Sequence, residues 1–457
     1  SRCFLAQARA LAASPFRVAL RNLHRRMAGA VEVKSEPKKA EKQRLYLLDN
    51  AKFILNICVA VEHLAPCLGC EGRPMFHSVY GSGLKIFMMP TWTFISGYCS
   101  SSDLSNVRKV DGCIKVIAIY VLSQLFWLLM SRYADAWYGT TKWGMELSRA
   151  GHAYSVSPWK VEDWLVPFWQ LWYLRDLAVW RLVLPFWARL KYPLLSAWVV
   201  SSFVDSFYLY GGTFDTGGMV NRLSLDMIWM YFPLYYFGTM AKERKWEVQE
   251  GLRYRIAGII VLTACIAVPI LEPPDMDAIW RFDGHSSIVA SLTGEGFFGN
   301  SLQMLVRLMA YIIIAAAVVA FLHVIPRRNV PVMTNFGERS LANYIFHPMS
   351  GMFLSYVGVY GANAQGASHP PWGPWLGLLL GVVTSVFWMS PWVWHVVWPI
   401  CDPPIHYLLK PQTAETPKAI QTKRTCAERC AALSRALRTF FGCQKHQDNA
   451  EVPELQV

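Results

Sequence analysis

Lys52 and His63 sit inside the first long apolar run of this chain, from Leu45 to Leu64. Ionisable groups within a run long enough to span a membrane are rare and usually functional. On one α-helix, positions eleven apart lie about three turns and roughly 16 Å apart on the same face. The ammonium and the imidazole therefore face one cavity at different depths. An ammonium supplies a fixed charge for an anion. An imidazole, with an ordinary pKa of about 6.5, exchanges protons near neutrality.

The elements that hold these two side chains are read from composition and periodicity. The 457 residues are 54% hydrophobic and only 16% charged, with 20 Trp, and the mean hydropathy is +0.24. A soluble domain of this length has no need of so many uninterrupted apolar runs. Candidate spans of the length needed to cross a bilayer fall at 45–65, 84–100, 114–131, 164–187, 192–210, 225–240, 256–271, 302–325, 341–360 and 373–398. The second carries Pro90, which predicts a kink or a re-entrant segment, and the fourth carries Arg175, Asp176 and Arg181. Period-2 alternation is absent, which argues against a β-barrel. The expected fold class is all-α, a polytopic transmembrane helical bundle of about ten spans.

Charge orients such a bundle, because cytoplasmic loops collect Lys and Arg. Arg25, Arg26, Lys34, Lys38, Lys39, Lys42 and Arg44 precede the first span. Further basic segments run from Arg108 to Lys115, from Arg189 to Lys191, from Lys242 to Arg255, through Arg327 and Arg328, and beyond Lys410. With ten spans all of these fall on one side, so both termini are expected in the cytoplasm. The glycine-rich Gly211–Gly218 loop and the acidic Glu272–Asp277 loop fall on the other. The net charge of +13 is then topological, and no nucleic-acid partner is implied. This reading divides the chain into a basic cytoplasmic tail (1–44), a membrane domain (45–398) and a polar, mostly disordered cytoplasmic tail (399–457). Residues 1–26, rich in Arg, Ala and Leu, read either as a targeting segment or as an upstream extension ahead of Met27.

The 11 cysteines show no zinc spacing and no disulfide framework. Cys67 and Cys70 lie where an oxidising compartment would permit a disulfide, and Cys426 and Cys430 are candidates for acylation. No dinucleotide fingerprint, phosphate loop or HExxH motif is present, and no metal site is expected.

Four segments in order carry a family resemblance. The stretch Leu48 to Leu55 followed by His63, the segment Met89 to Tyr98, the tryptophan-rich Leu171 to Pro185 and the segment Ser340 to Pro348 together resemble the acyltransferase-3 family of integral membrane acyltransferases. The pattern is nearest to the branch resembling fucose 4-O-acetylases. In that family a basic residue, ten intervening residues and a histidine mark the first helix, and here they fall on Lys52 and His63. Lys52 stands where relatives often have Arg, which keeps the charge and loses the bidentate fork.

The resemblance implies an O-acyltransferase that moves an acyl group, acetyl first among them, from acyl-coenzyme A to a carbohydrate hydroxyl. Acyl-coenzyme A is a co-substrate, and no permanently bound cofactor is implied. His63 is the implied general base, and Lys52, Arg108, Lys109 and Lys115 are the implied contacts for the donor's phosphates. Asn50, Glu62, Ser96, Gly97, Trp172, Tyr173, Arg175, Asp176, Asn343 and His347 are candidates for supporting or acceptor-side roles. Each has a structural counterpart: an interfacial lysine, a positive-inside arginine, small-residue helix packing at Ser96 and Gly97, or a buried ion pair at Arg175 and Asp176. Two alternatives start from the same residues, namely a secondary transporter of a small polar solute and a non-catalytic acyltransferase-like binding protein.

Overall fold

The computed structural model describes residues 46–64, 79, 83–102, 107–138, 167–204, 206, 225–271, 297–356 and 372–405. The tails 1–44 and 406–457, Cys67, Cys70, Cys426, Cys430 and the loops 211–218 and 272–277 lie outside the described residues. Among the described residues every regular element is helical: α1 (Tyr46–Leu64), α2 (Met88–Tyr98), α3 (Val107–Tyr138), a 3-10 turn (Trp169–Leu171), α4 (Trp172–Trp187), α5 (Pro193–Phe203), α6 (Leu225–Glu243), α7 (Leu252–Leu271), α8 (Phe297–Val324), α9 (Pro331–Gly337), α10 (Ser340–Tyr356), α11 (Gly373–Trp388) and α12 (Pro391–Cys401).

Only part of the expected set of about ten spans passes a strict test of length and polarity. Val110–Met130 and Gly299–Val324 are long and apolar enough to cross a membrane, and Gly373–Trp388 with Pro391–Cys401 qualifies only as a bent pair. Of the remaining helices, some are short, as α2 and α5 are at 11 residues each, and some carry charges inside. α1 holds Asp49, Lys52 and Glu62, and α4 holds Arg175, Asp176 and Arg181. In α8 the outer stripe is apolar: Leu305, Met309 and Ile312 are exposed, while Arg307, Tyr311, Ile314 and Val318 are buried. That is the partition expected of a helix between hydrocarbon and a protein interior.

One expectation is corrected in shape. The stretch 373–398 is not one continuous helix but two helices bent by 70°. Pro391 has no N–H with which to continue α11, and the Ser390 hydroxyl instead caps α12 by accepting from the Val393 N–H at 3.4 Å. The stretch 341–360 is preceded by a separate short helix, α9. Pro90 lies in the first turn of α2, where backbone N–H groups have no partner within the helix, and residues 84–87 ahead of it form a turn.

α1 is the hub of the site and is packed by α9, α10 and α11. Small residues bring these neighbours close. Gly373, Gly377 and Gly381 are buried along one stripe of α11, and a Cβ on Gly381 would lie 2.9 Å from Val61 backbone atoms. A Cβ on Gly337 of α9 would collide with the Asp49 carbonyl. Asn50 locks the start of α1: its amide donates to the Pro326 carbonyl at 2.8 Å and the Arg328 carbonyl at 3.0 Å, and its carbonyl accepts from the Thr334 hydroxyl at 2.7 Å. On the other side of the core, α2 packs on α6.

Candidate active site

Glu62 and His63 lie in the last turn of α1, where a cation from one segment and a ring from another meet them. His63 Nε2 lies 3.4 Å from Glu62 Oε2, while Lys85 Nζ, from the turn before α2, lies 3.3 Å from Glu62 Oε1. A carboxylate set between an imidazole nitrogen and an ammonium is held in place by both. The His63 side chain keeps 21% exposure. Against its face lies the ring of His347 from α10, with centroids 5.1 Å apart and planes within 17°. His347 is fully buried.

The layer behind the rings is polar and connected. Asn343, one turn before His347, donates to the Asn56 side-chain oxygen at 3.0 Å and to the Ser385 hydroxyl at 3.4 Å, and the Asn56 amide donates to the Lys52 carbonyl at 2.9 Å. Asn56, Asn343 and Ser385 are all buried. They pin α10 and α11 to the middle of α1, between Lys52 and His63. Asn343 Oδ1 is left without a hydrogen-bond partner among the described residues, and the bonds that are made tie the register of α10 to α1.

Beyond His347 the chain turns at Gln170. The Gln170 amide and the Trp127 indole N–H both donate to the Ile345 carbonyl, at 2.9 Å and 3.1 Å, and the Tyr344 hydroxyl donates to the Gln170 carbonyl. The 3-10 turn is thereby keyed to α10. Tyr173 follows in α4, its hydroxyl 2.7 Å from the Ser96 hydroxyl and donating to the Trp92 carbonyl at 3.0 Å. Trp172 stacks on Tyr231, with centroids 5.5 Å apart.

Of the residues singled out from the sequence, Glu62, His63, Asn343 and His347 come together. Lys52 is on α1 at the expected remove, paired with Asp49 at 3.3 Å and with a quarter of its side chain exposed. Lys115 forms an ion pair with Asp402 beyond α12. Arg108 and Lys109 lie in the first turn of α3, with side chains outside the described residues. Gly97 is used for packing, since a Cβ there would collide with the Tyr235 carbonyl and the Thr239 hydroxyl donates to the Gly97 carbonyl at 3.0 Å. Ser96 and Tyr173 contact each other rather than His63. Arg175 pairs with its neighbour, the buried Asp176, at 2.6 Å.

Sequence reading missed Lys85, Asn56, Ser385 and Gln170. Lys85, flanked by Leu84 and Ile86, carried a signal, being a cation inside an apolar run. The amides and the serine carried none.

The acyltransferase-domain model of the acyltransferase-3 family matches residues 45–391. The chain belongs to the acyltransferase-3 family. The match takes in every helix of the site, from α1 to α11, and with it the apolar helices that mark a membrane acyltransferase. No curated protein and no solved structure matches the chain.

Proposed function

We propose that this acyltransferase-3 protein moves an acyl group, acetyl first among them, from acyl-coenzyme A to a hydroxyl of a carbohydrate acceptor. The observation that carries the reading is the Glu62–His63 pair at the end of α1, braced by Lys85 and stacked on His347. His63 takes the proton from the acceptor hydroxyl as its oxygen attacks the thioester carbonyl. The tetrahedral intermediate collapses, the C–S bond breaks, and the proton passes from His63 to the coenzyme A sulfur. Glu62 orients the ring and balances the charge that forms on it.

Lys52, roughly 16 Å away along the same face, receives a donor phosphate. Its 25% side-chain exposure leaves it accessible. Arg108 and Lys109 at the start of α3 extend that footprint. In this reading the bundle has about ten spans, both termini are cytoplasmic, and the acceptor approaches from the opposite side.

The test is acceptor-dependent release of free coenzyme A by the purified protein, with acetyl-coenzyme A and a panel of glycosides. Release that rises only with acceptor supports the transferase. A protein that binds acyl-coenzyme A without ever releasing coenzyme A in the presence of acceptors is not one.

A further inference from the structure

Pro348 follows His347 inside α10, and the pair has a local chemistry that reaches the base. In a regular helix the N–H of residue 348 would donate to the carbonyl of Tyr344. Proline has no N–H, so that carbonyl loses its backbone donor. The His347 ring supplies one in its place: Nδ1 lies 3.1 Å from the Tyr344 carbonyl and 2.9 Å from that of Asn343. Carbonyls only accept, so Nδ1 carries hydrogen. Nε2 is buried and has no hydrogen-bond partner among the described residues. A neutral His347 is therefore a single tautomer, with its ring plane held from beneath and its face against His63.

We propose that His347 is a positioning residue whose neutral ring face stabilises the imidazolium formed at His63, and that Pro348 sets this state by leaving the Tyr344 carbonyl to the His347 Nδ1–H. The inference rests on the general-base reading of His63. When His63 accepts the acceptor's proton, its charge lies between two groups: the Glu62 carboxylate at its edge and the His347 π face beneath it. A proton on His347 would oppose the same charge.

Among the described residues, ionisable groups reach His63 from three segments. Glu62 is its neighbour on α1, Lys85 comes from the turn before α2, and His347 comes from α10. α11, which also packs on α1, has no titratable residue between Gly373 and Trp388.

The experiment follows coenzyme A release against pH for the wild type and for His347→Ala, His347→Phe, Pro348→Ala and the Phe/Ala double variant. His347→Ala should lower kcat by about 3- to 30-fold, the span of a cation over a ring face, with KM for acyl-coenzyme A unchanged. Its acidic limb of kcat/KM should move to lower pH by about half a unit to one and a half units, because a group favouring the protonated ring has gone. His347→Phe keeps a flat face and should recover most of the rate and the position of the limb. Pro348→Ala should cost activity in the wild-type background and nothing further beside His347→Phe.

A limb that moves to higher pH in His347→Ala means the ring carried charge, and the proposal falls. So does a His347→Phe protein, folded and present at normal level, that is as impaired as His347→Ala. A wild-type protein that transfers to no acceptor removes the transferase reading itself. Transfer that survives with an unmoved limb removes only the role given to His347.

Discussion

His63 carries the largest single-residue expectation. Removing a positioned base costs about 10² to 10⁴ in rate, so His63→Ala should abolish most transfer. Acyl-coenzyme A binding should persist, because the phosphates are assigned to Lys52, three turns along α1. Equilibrium binding of labelled acyl-coenzyme A beside turnover separates the two effects. A neutral ring is the active form, so kcat/KM should fall as pH drops and His63 becomes protonated. Glu62→Gln keeps a hydrogen-bonding group at the ring edge and removes the charge, and should lower kcat less than loss of the ring does. At the other end of the helix, Lys52→Ala should raise KM for acyl-coenzyme A through loss of a charge-assisted phosphate contact, while Lys52→Arg retains much of the activity. Unchanged donor binding in Lys52→Ala would make the lysine an interfacial anchor and nothing more.

At the scale of elements, the site depends on helices that approach closely through glycine. Gly97 of α2 faces the Tyr235 backbone of α6, and Gly238 of α6 faces the Phe94 backbone of α2. The two form a reciprocal contact with no room for a side chain. Gly97→Leu forces these helices apart, and overpacking of this kind costs about 1–3 kcal/mol or more. The expected outcome is a lower midpoint in a thermal unfolding scan of the detergent-solubilised protein, together with reduced yield. A Gly97→Leu protein of wild-type stability whose only defect was in donor KM would reassign Gly97 from packing to the substrate tunnel. The buried amides of α1 and α10 make a related point. The Asn343–Asn56 hydrogen bond joins α10 to α1, the two helices that carry His347 and His63, and so helps set the register that brings those rings together.

For the whole molecule, the arrangement of basic segments predicts that both termini are cytoplasmic. Reporter fusions at each end, or protease protection in sealed vesicles, should place them on the same side. Opposite sides would mean an odd number of crossings, and the bent pair α11 and α12 is where the count is most sensitive. Its 70° break makes it either one broken span or a re-entrant element. The Lys115–Asp402 ion pair ties the end of that pair to α3, which helps hold the break in place.

The sequence by itself determined the helical class, the placement of Lys52 and His63 on one face, and the family. Apolar periodicity, residue spacing and ordered motifs are properties of the linear chain. It also marked Asn343 and His347, through the segment around Pro348. The tertiary structure alone decided that Glu62 is held by Lys85, that His347 stacks on His63, and that Gly97 packs against the backbone of α6. These are contacts between helices distant in sequence, and their partners are set by how side-chain volumes and buried hydrogen bonds fit together. It decided as well that 373–398 breaks in two, because a proline ends a helix only where the neighbouring elements leave the chain somewhere else to go.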